Sequence, residues 1–134
     1  LIHDGARPCI TQKIITDSID AVKVYSACTV GVPVKDTIKI VDEDQMGVDT
    51  PDRSRLWQVQ TPQSFNRELL LTCYGLAHDK CQVITDDTMI VERYSSVRTK
   101  VIMGAYENLK ITTPEDLKIA SNFLKKDVDT KMVK

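Results

Sequence analysis

A chain of 134 residues, 42% apolar and 28% charged, has the balance of one globular domain with a single core. Lys plus Arg (18) nearly cancel Asp plus Glu (19), and the formal charge of −1 excludes the basic field of a nucleic-acid or membrane-surface binder. No apolar run approaches the roughly 20 residues of a membrane span and no signal peptide is visible, so an anionic ligand must be met by a few local cations.

Leu1-Ile2 reads as the end of a buried strand, closed by a turn through Gly5 to Pro8. The opening on Leu-Ile, without an initiator Met, reads as the later part of a longer protein. Thr11 is placed to cap a helix over 12–27, with Ile15, Ile19 and Val22 on one face. TVGVPV, residues 29–34, is apolar nearly throughout and predicts a buried strand, with Pro33 marking an edge or bulge.

The texture then changes. Residues 35–55 are polar, carry Gly47 and Pro51, and contain one alternating segment, Thr37-Ile38-Lys39-Ile40. They predict a hairpin-like arm with a turn near Asp44 to Gly47. Such an arm buries too little to stand alone and calls for a partner surface, plausibly that of a second subunit.

A strand resumes over 56–60, and Thr61-Pro62 is expected to end it. Asn66 is placed to cap a helix reaching His78, with Leu69, Leu70, Cys73, Leu76 and Ala77 inward. Thr85 is expected to cap the next helix, with Asp86 and Asp87 in the first turn, where the macrodipole favours acids. Residues 99–103 predict a strand. Thr113-Pro114-Glu115-Asp116 is a capping box with Pro at the first helical position, predicting a helix to Lys125 and a polar, frayed tail. Strands alternating with helices make this an α/β chain with a mostly parallel sheet and the arm as an antiparallel outgrowth.

Four polar clusters fall at strand ends, where open α/β sheets bind ligands: His3-Asp4-Gly5-Ala6-Arg7, Thr61-Pro62-Gln63, Thr85-Asp86-Asp87 and Glu107-Asn108-Leu109-Lys110. Asp4 suits a divalent metal or a sugar hydroxyl, Arg7 suits a phosphate, and Gly5 lets backbone come close to a ligand. The competing reading is an Asp–Arg pair that merely braces a turn. Lys110, Arg53 and Arg55 read equally as phosphate contacts or solvated cations, and Thr61 and Thr85 as ligands or caps. Cys9, Cys28, Cys73 and Cys81 show no CxxC and no zinc spacing, and read as reduced, mostly buried thiols of a cytosolic protein. Cys9 has only His3 and His78 as bases, neither with an evident orienting partner, so it is read as buried rather than nucleophilic. Trp57 reads as core or interface packing.

Taken together, LIHDGARPCI, VPVKDTIK, DRSRLWQVQTPQSF, TDDTMIVE and ENLKITTPEDL resemble, in order and across nearly the whole chain, the 2-C-methyl-D-erythritol 4-phosphate cytidylyltransferase family. The resemblance implies a Rossmann-like nucleotidyltransferase fold and a cytoplasmic homodimer with an interlocking β-arm. It also implies transfer of a cytidylyl group from CTP to a polyol phosphate, with Mg²⁺ shielding charge and pyrophosphate leaving. Asp4 matches the residue that holds the methylerythritol hydroxyls, with Gly5, Ala6 and Arg7 beside it. Thr37 and Arg53 match arm residues that reach the partner's site. Thr61, Thr85 and Lys110 match residues of the sugar-phosphate pocket, and Asp4 and Lys110 are the two assigned to the chemistry. The family's Gly-rich CTP loop belongs to an amino-terminal segment upstream of Leu1, and Glu107 receives no role. Ribitol 5-phosphate cytidylyltransferases share the QTPQSFN and KITTP stretches and are the nearest rival. A non-catalytic dimerisation module is another, and caps and braces in an unrelated α/β domain a third.

Overall fold

The structure, a computed structural model, describes residues 1–77 and 83–132. The centre is β1, Ala27–Pro33, six of whose seven residues are buried. It pairs antiparallel with β4, Trp57–Phe65, and parallel with β5, Lys100–Met103. Ile2 adds one antiparallel bridge to Gln63. Ile2, β1 and β5 therefore run one way and β4 alone runs the other, a mixed sheet that keeps the predicted mostly parallel sense.

The helix α1, Gln12–Tyr25, starts where Thr11 predicts: its hydroxyl accepts from the Ile14 amide at 3.3 Å. It ends on Ser26, left-handed at φ 64°, whose amide reaches the Val22 carbonyl at 2.9 Å. The stripe against the sheet is Ile14 and Ser18, one helical turn apart; Ile15 and Val22 flank it half-buried, but Ile19 is 42% exposed. The buried Ser18 is satisfied by hydrogen bonds. Its carbonyl accepts from Cys28 at 3.3 Å and its hydroxyl from Ser64 at 3.2 Å.

Thr61-Pro62 does not end its strand. Opposite Thr29 and Gly31, β4 places Gln63 and Val59, so extra residues bulge out around the cis Thr61-Pro62 bond. Pro62 has no N–H for the ladder, and a bulge removes the need for one. The strand then continues to Phe65.

The helix α2, Arg67–Ala77, is capped by Asn66, which accepts from the Leu69 amide at 3.1 Å. It packs on α3, Asp87–Tyr94, forming a core of Ala27, Cys73, Ala77, Ile90 and Val91 backed by Phe65, Leu69 and Leu70. Leu76, expected inward, is 54% exposed, and His78 lies outside the described residues. The α3 cap is Asp86 rather than Thr85: its carboxylate accepts from the Met89 amide at 2.8 Å. After β5, Gly104 crosses so close to β1 that a Cβ there would meet Val30 at 2.6 Å and Gln60 at 2.5 Å. Finally α4 runs Pro114–Met132, past the expected end at Lys125. Its capping box is reciprocal: the Asp116 carboxylate accepts from the Thr113 amide at 2.9 Å, and the Thr113 hydroxyl accepts from the Asp116 amide at 3.3 Å.

The arm is a separate two-stranded sheet of β2, Ile40–Val41, and β3, Gly47–Asp49. Its turn is wound by Asp42, which accepts from the amides of Asp44 and Met46, while Gln45 is left-handed at φ 63°. Every residue over 35–50 is exposed. The root of the arm is held. Arg53 donates to the Lys35 carbonyl at 2.6 Å, Tyr106 donates to the Pro33 carbonyl at 2.8 Å, and the Lys35 ammonium lies 3.5 Å from the Tyr106 ring centre.

Candidate functional site

Three connections meet at the strand ends: the turn after Ile2, the bulge of β4, and the loop between β5 and α4. Asp4 sits between two cations. Arg7 Nε lies 3.3 Å and Lys110 Nζ 3.2 Å from the same carboxylate oxygen, Oδ2. Partial burial pushes the Asp4 carboxyl up, but the hydrogen bonds and charges of Lys110 and Arg7 outweigh it and hold the group below its ordinary value.

The two cations differ in freedom. The Arg7 side chain is 11% exposed and also donates from Nη1 to the Asn108 carbonyl at 2.8 Å, so its plane is fixed. The Lys110 side chain is 49% exposed and its pairing with Asp4 is worth about 0–1 kcal/mol, so it is free to turn towards an arriving anion.

Thr61 is fixed as closely as Arg7. Its hydroxyl accepts from the Asp4 amide at 3.0 Å and lies 2.8 Å from His3 Nδ1. His3 Nε2 lies 3.1 Å from the Arg7 carbonyl. That carbonyl only accepts, so Nε2 carries the proton; in the neutral ring Nδ1 then accepts from Thr61. His3, which from the sequence lacks a partner, is thus tied at both nitrogens. Ala6 contributes its carbonyl, which accepts from the Ile111 amide at 2.8 Å and ties the turn to the Lys110 loop. Beyond Gly5 and its two chain neighbours, no protein atom lies within 4 Å of where a Gly5 side chain would begin.

An open cavity of about 440 Å³ gathers Asp4, Arg7, Thr61, Thr85 and Lys110 along its wall, with Gln63 and Asp86 beside them. Gln63, 2% exposed, holds the start of α3: its amide oxygen accepts from Asp87 N at 3.0 Å and Thr88 N at 3.3 Å, and its nitrogen donates to Asp86 at 3.1 Å. Thr85 lies against the cavity, next to Asp86, the residue that caps α3. Thr37 and Arg53 do not line the cavity; both are exposed on the arm.

Sequence reasoning assigned no role to Asn108 or Gln63, both essentially buried. Their signal was present only as polar residues inside the strand-end clusters. A larger groove of about 600 Å³, lined by Pro8, Ile111, Leu117 and Leu124, shares no residue with the polar cluster.

No group of three His, Cys, Asp or Glu suited to a metal occurs among the described residues. The Asp4 carboxylate is engaged by two cations, and Asp86 by the Met89 amide, the Gln63 side-chain nitrogen and the Thr88 hydroxyl. Among the described residues, this donor set does not fit a protein-held magnesium ion. Cys9, 8% exposed, places its thiol 3.8 Å from the Ala120 carbonyl, which matches packing rather than attack.

The described residues contain no helix long and apolar enough to cross a membrane. The sequence profile described as 2-C-methyl-D-erythritol 4-phosphate cytidylyltransferase matches residues 1–126. Enzymes of that name from Caldanaerobacter subterraneus subsp. tengcongensis and Lachnospira eligens are 51% and 48% identical, over 93% and 92% of this chain. The 4-diphosphocytidyl-2C-methyl-D-erythritol synthase of Anaerococcus prevotii superposes with a TM-score of 0.85 at 34% identity, covering 92% of this chain and 57% of that one. The 2-C-methyl-D-erythritol 4-phosphate cytidylyltransferase of Thermus thermophilus superposes with a TM-score of 0.83 at 28% identity, covering 93% and 61%. The chain spans 55% and 56% of the two curated relatives' length. With its motifs, fold and profile in agreement over nearly all its residues, the chain belongs to the 2-C-methyl-D-erythritol 4-phosphate cytidylyltransferase family.

Proposed function

We propose that this chain carries the acceptor site and dimer arm of an enzyme that transfers a cytidylyl group from CTP to 2-C-methyl-D-erythritol 4-phosphate, releasing pyrophosphate. The observation that carries the reading is the convergence of Asp4, Arg7, Thr61, Thr85 and Lys110 on one cavity. Two cations, two hydroxyls and one carboxylate complement a molecule with both phosphate and hydroxyl groups.

In this reading Arg7 and Lys110 attract the acceptor phosphate, and Asp4 takes the polyol hydroxyls while keeping the cations aimed inward. One phosphate oxygen attacks the α-phosphorus of CTP, the bond from that phosphorus to the pyrophosphate oxygen breaks, and pyrophosphate leaves. The protein's work is positioning and charge neutralisation, because phosphoryl transfer needs little covalent help. Thr37 and Arg53 complete the site of a second subunit. The exposure of Ile40, Val41, Met46 and Val48 on the arm supports pairing with another molecule, since a lone two-stranded hairpin is marginal in water. The buried thiols of Cys9, Cys28 and Cys73 support a reducing, cytoplasmic setting.

The test uses the full-length protein with CTP and either methylerythritol 4-phosphate or ribitol 5-phosphate, following pyrophosphate release. Faster turnover of the branched tetritol phosphate is the expected result. Preference for ribitol phosphate would move the protein to the sister activity, and release with neither would end the reading.

A further inference from the structure

Asn108 is completely buried, yet it is bonded to Arg7, Thr61 and Gln60. Its backbone carbonyl accepts from Arg7 Nη1 at 2.8 Å. Its side-chain nitrogen donates to the Thr61 carbonyl at 2.8 Å and to Gln60 Oε1 at 3.2 Å. Arg7 in turn pairs with Asp4, and the Asp4 amide donates to Thr61. Asp4, Thr61, Asn108 and Arg7 thus form a closed ring of hydrogen bonds that joins the three connections. Lys110 follows two residues later on the same loop.

The chemistry of the amide shows what it is kept for. Asn108 Oδ1 has no hydrogen-bond partner. An unpaired buried acceptor is destabilising, a cost that an apolar side chain of the same size would not carry. What Asn supplies and Leu would not is the pair of donors facing the Thr61 and Gln60 oxygens. Those donors pin the loop to the β4 bulge, and the pinned carbonyl fixes the Arg7 plane. Gln60 reinforces the same loop, donating to the Ala105 carbonyl at 2.9 Å.

We propose that Asn108 is the positioning residue of the acceptor site: its side chain clamps the Lys110 loop to Thr61, so that its carbonyl holds Arg7 at the angle that grips the phosphate. What is gripped rests on the function proposed above; the ring rests on distances alone. Asn108 acts through Arg7 and touches no substrate.

The test is a double-mutant cycle in the full-length protein with CTP and methylerythritol 4-phosphate. Asn108→Ala is expected to raise KM for the polyol phosphate about tenfold and to leave KM for CTP within about twofold. In an Arg7→Ala background the same substitution is expected to add less than about twofold, because the group it positions is gone. A merely structural defect would multiply with Arg7→Ala and weaken both substrates alike, and that result overturns the proposal. Asn108→Ser serves as the second variant should Asn108→Ala not fold. If the unmodified protein turns over no polyol phosphate, the functional reading falls, and urea melts of the same four proteins decide the ring. Non-additive midpoints support it and additive midpoints overturn it.

Discussion

Replacing Gln63 by Leu preserves volume inside the sheet while erasing the side-chain bonds that hold the start of α3. The amide oxygen accepts from two backbone N–H groups, on Asp87 and Thr88, and the nitrogen donates to Asp86 at 3.1 Å and Thr29 Oγ1 at 3.3 Å. Thr88 is 4% exposed, so water cannot replace the lost acceptor at its amide. One orphaned buried N–H at about 1–3 kcal/mol, with about 0.5–1.5 kcal/mol for each exchanged bond, totals about 3 kcal/mol once partial relaxation is allowed. With a urea slope of about 2 kcal/mol/M, the midpoint falls by about 1.5 M.

The assay is urea unfolding followed by far-ultraviolet circular dichroism at neutral pH. Gln63→Glu sharpens it by setting a second carboxylate where the amide nitrogen faced Asp86. Burial and like charge raise the introduced carboxyl's pKa in the folded state, so the penalty grows as pH rises through that value and shrinks as pH falls. The variant is expected to lose more stability at pH 7 than at pH 5. A Gln63→Leu midpoint within about 0.2 M of the parent, or a Gln63→Glu penalty that ignores pH, would refute the hydrogen-bond account.

If the proposed dimer shares its sites, full-length Arg53→Ala chains mixed with Asp4→Ala chains are expected to regain part of the activity each lacks alone, since a mixed dimer would keep one intact site; mixtures that stay inactive count against a shared site. The folded Asp4 carboxyl lies below its ordinary 3.8, so its contribution is present above that value and is lost as pH falls through the lower folded one. Removing a cation with Lys110→Met should move the Asp4 midpoint up in a carboxyl NMR titration, and an unmoved midpoint would show that the pair is not formed in solution. Hydrogen bonds from the Thr112 and Thr113 backbone hold Asp116 below 3.8, so Asp116→Ala should speed amide exchange in the first turn of α4 at neutral pH. In the parent, that protection should fade only as pH drops below the ordinary carboxylate value.

What the sequence revealed was local. Thr11 and the Thr113-Pro114-Glu115-Asp116 box start helices where expected, because a cap depends only on residues within one turn. The nearly continuous apolar run over 29–34 correctly announced a buried strand. The failures came from tertiary context. Pro62 looked like a stop because its neighbour strand, which tolerates a bulge there, is not visible in one dimension. Thr85 looked like the cap because Asp86, a better one, is held in register by Gln63 from a strand more than twenty residues away. Leu76 fits the helical period, yet the surface it faces is uncovered. The site was half legible. Charged Asp4, Arg7 and Lys110 drew notice by themselves, whereas Asn108 and Gln63 passed as loop and strand polarity until burial set them apart.

The grip of Tyr106 on the arm gives that outgrowth a mechanical partner. Pro33 and Lys35 are fastened to the ring and hydroxyl of one tyrosine, and the backbone from that tyrosine reaches Lys110 in four residues. The root of the arm and the loop that carries Lys110 are therefore joined through a single side chain. A change at Tyr106 would thus disturb the base of the hairpin and the Lys110 loop together.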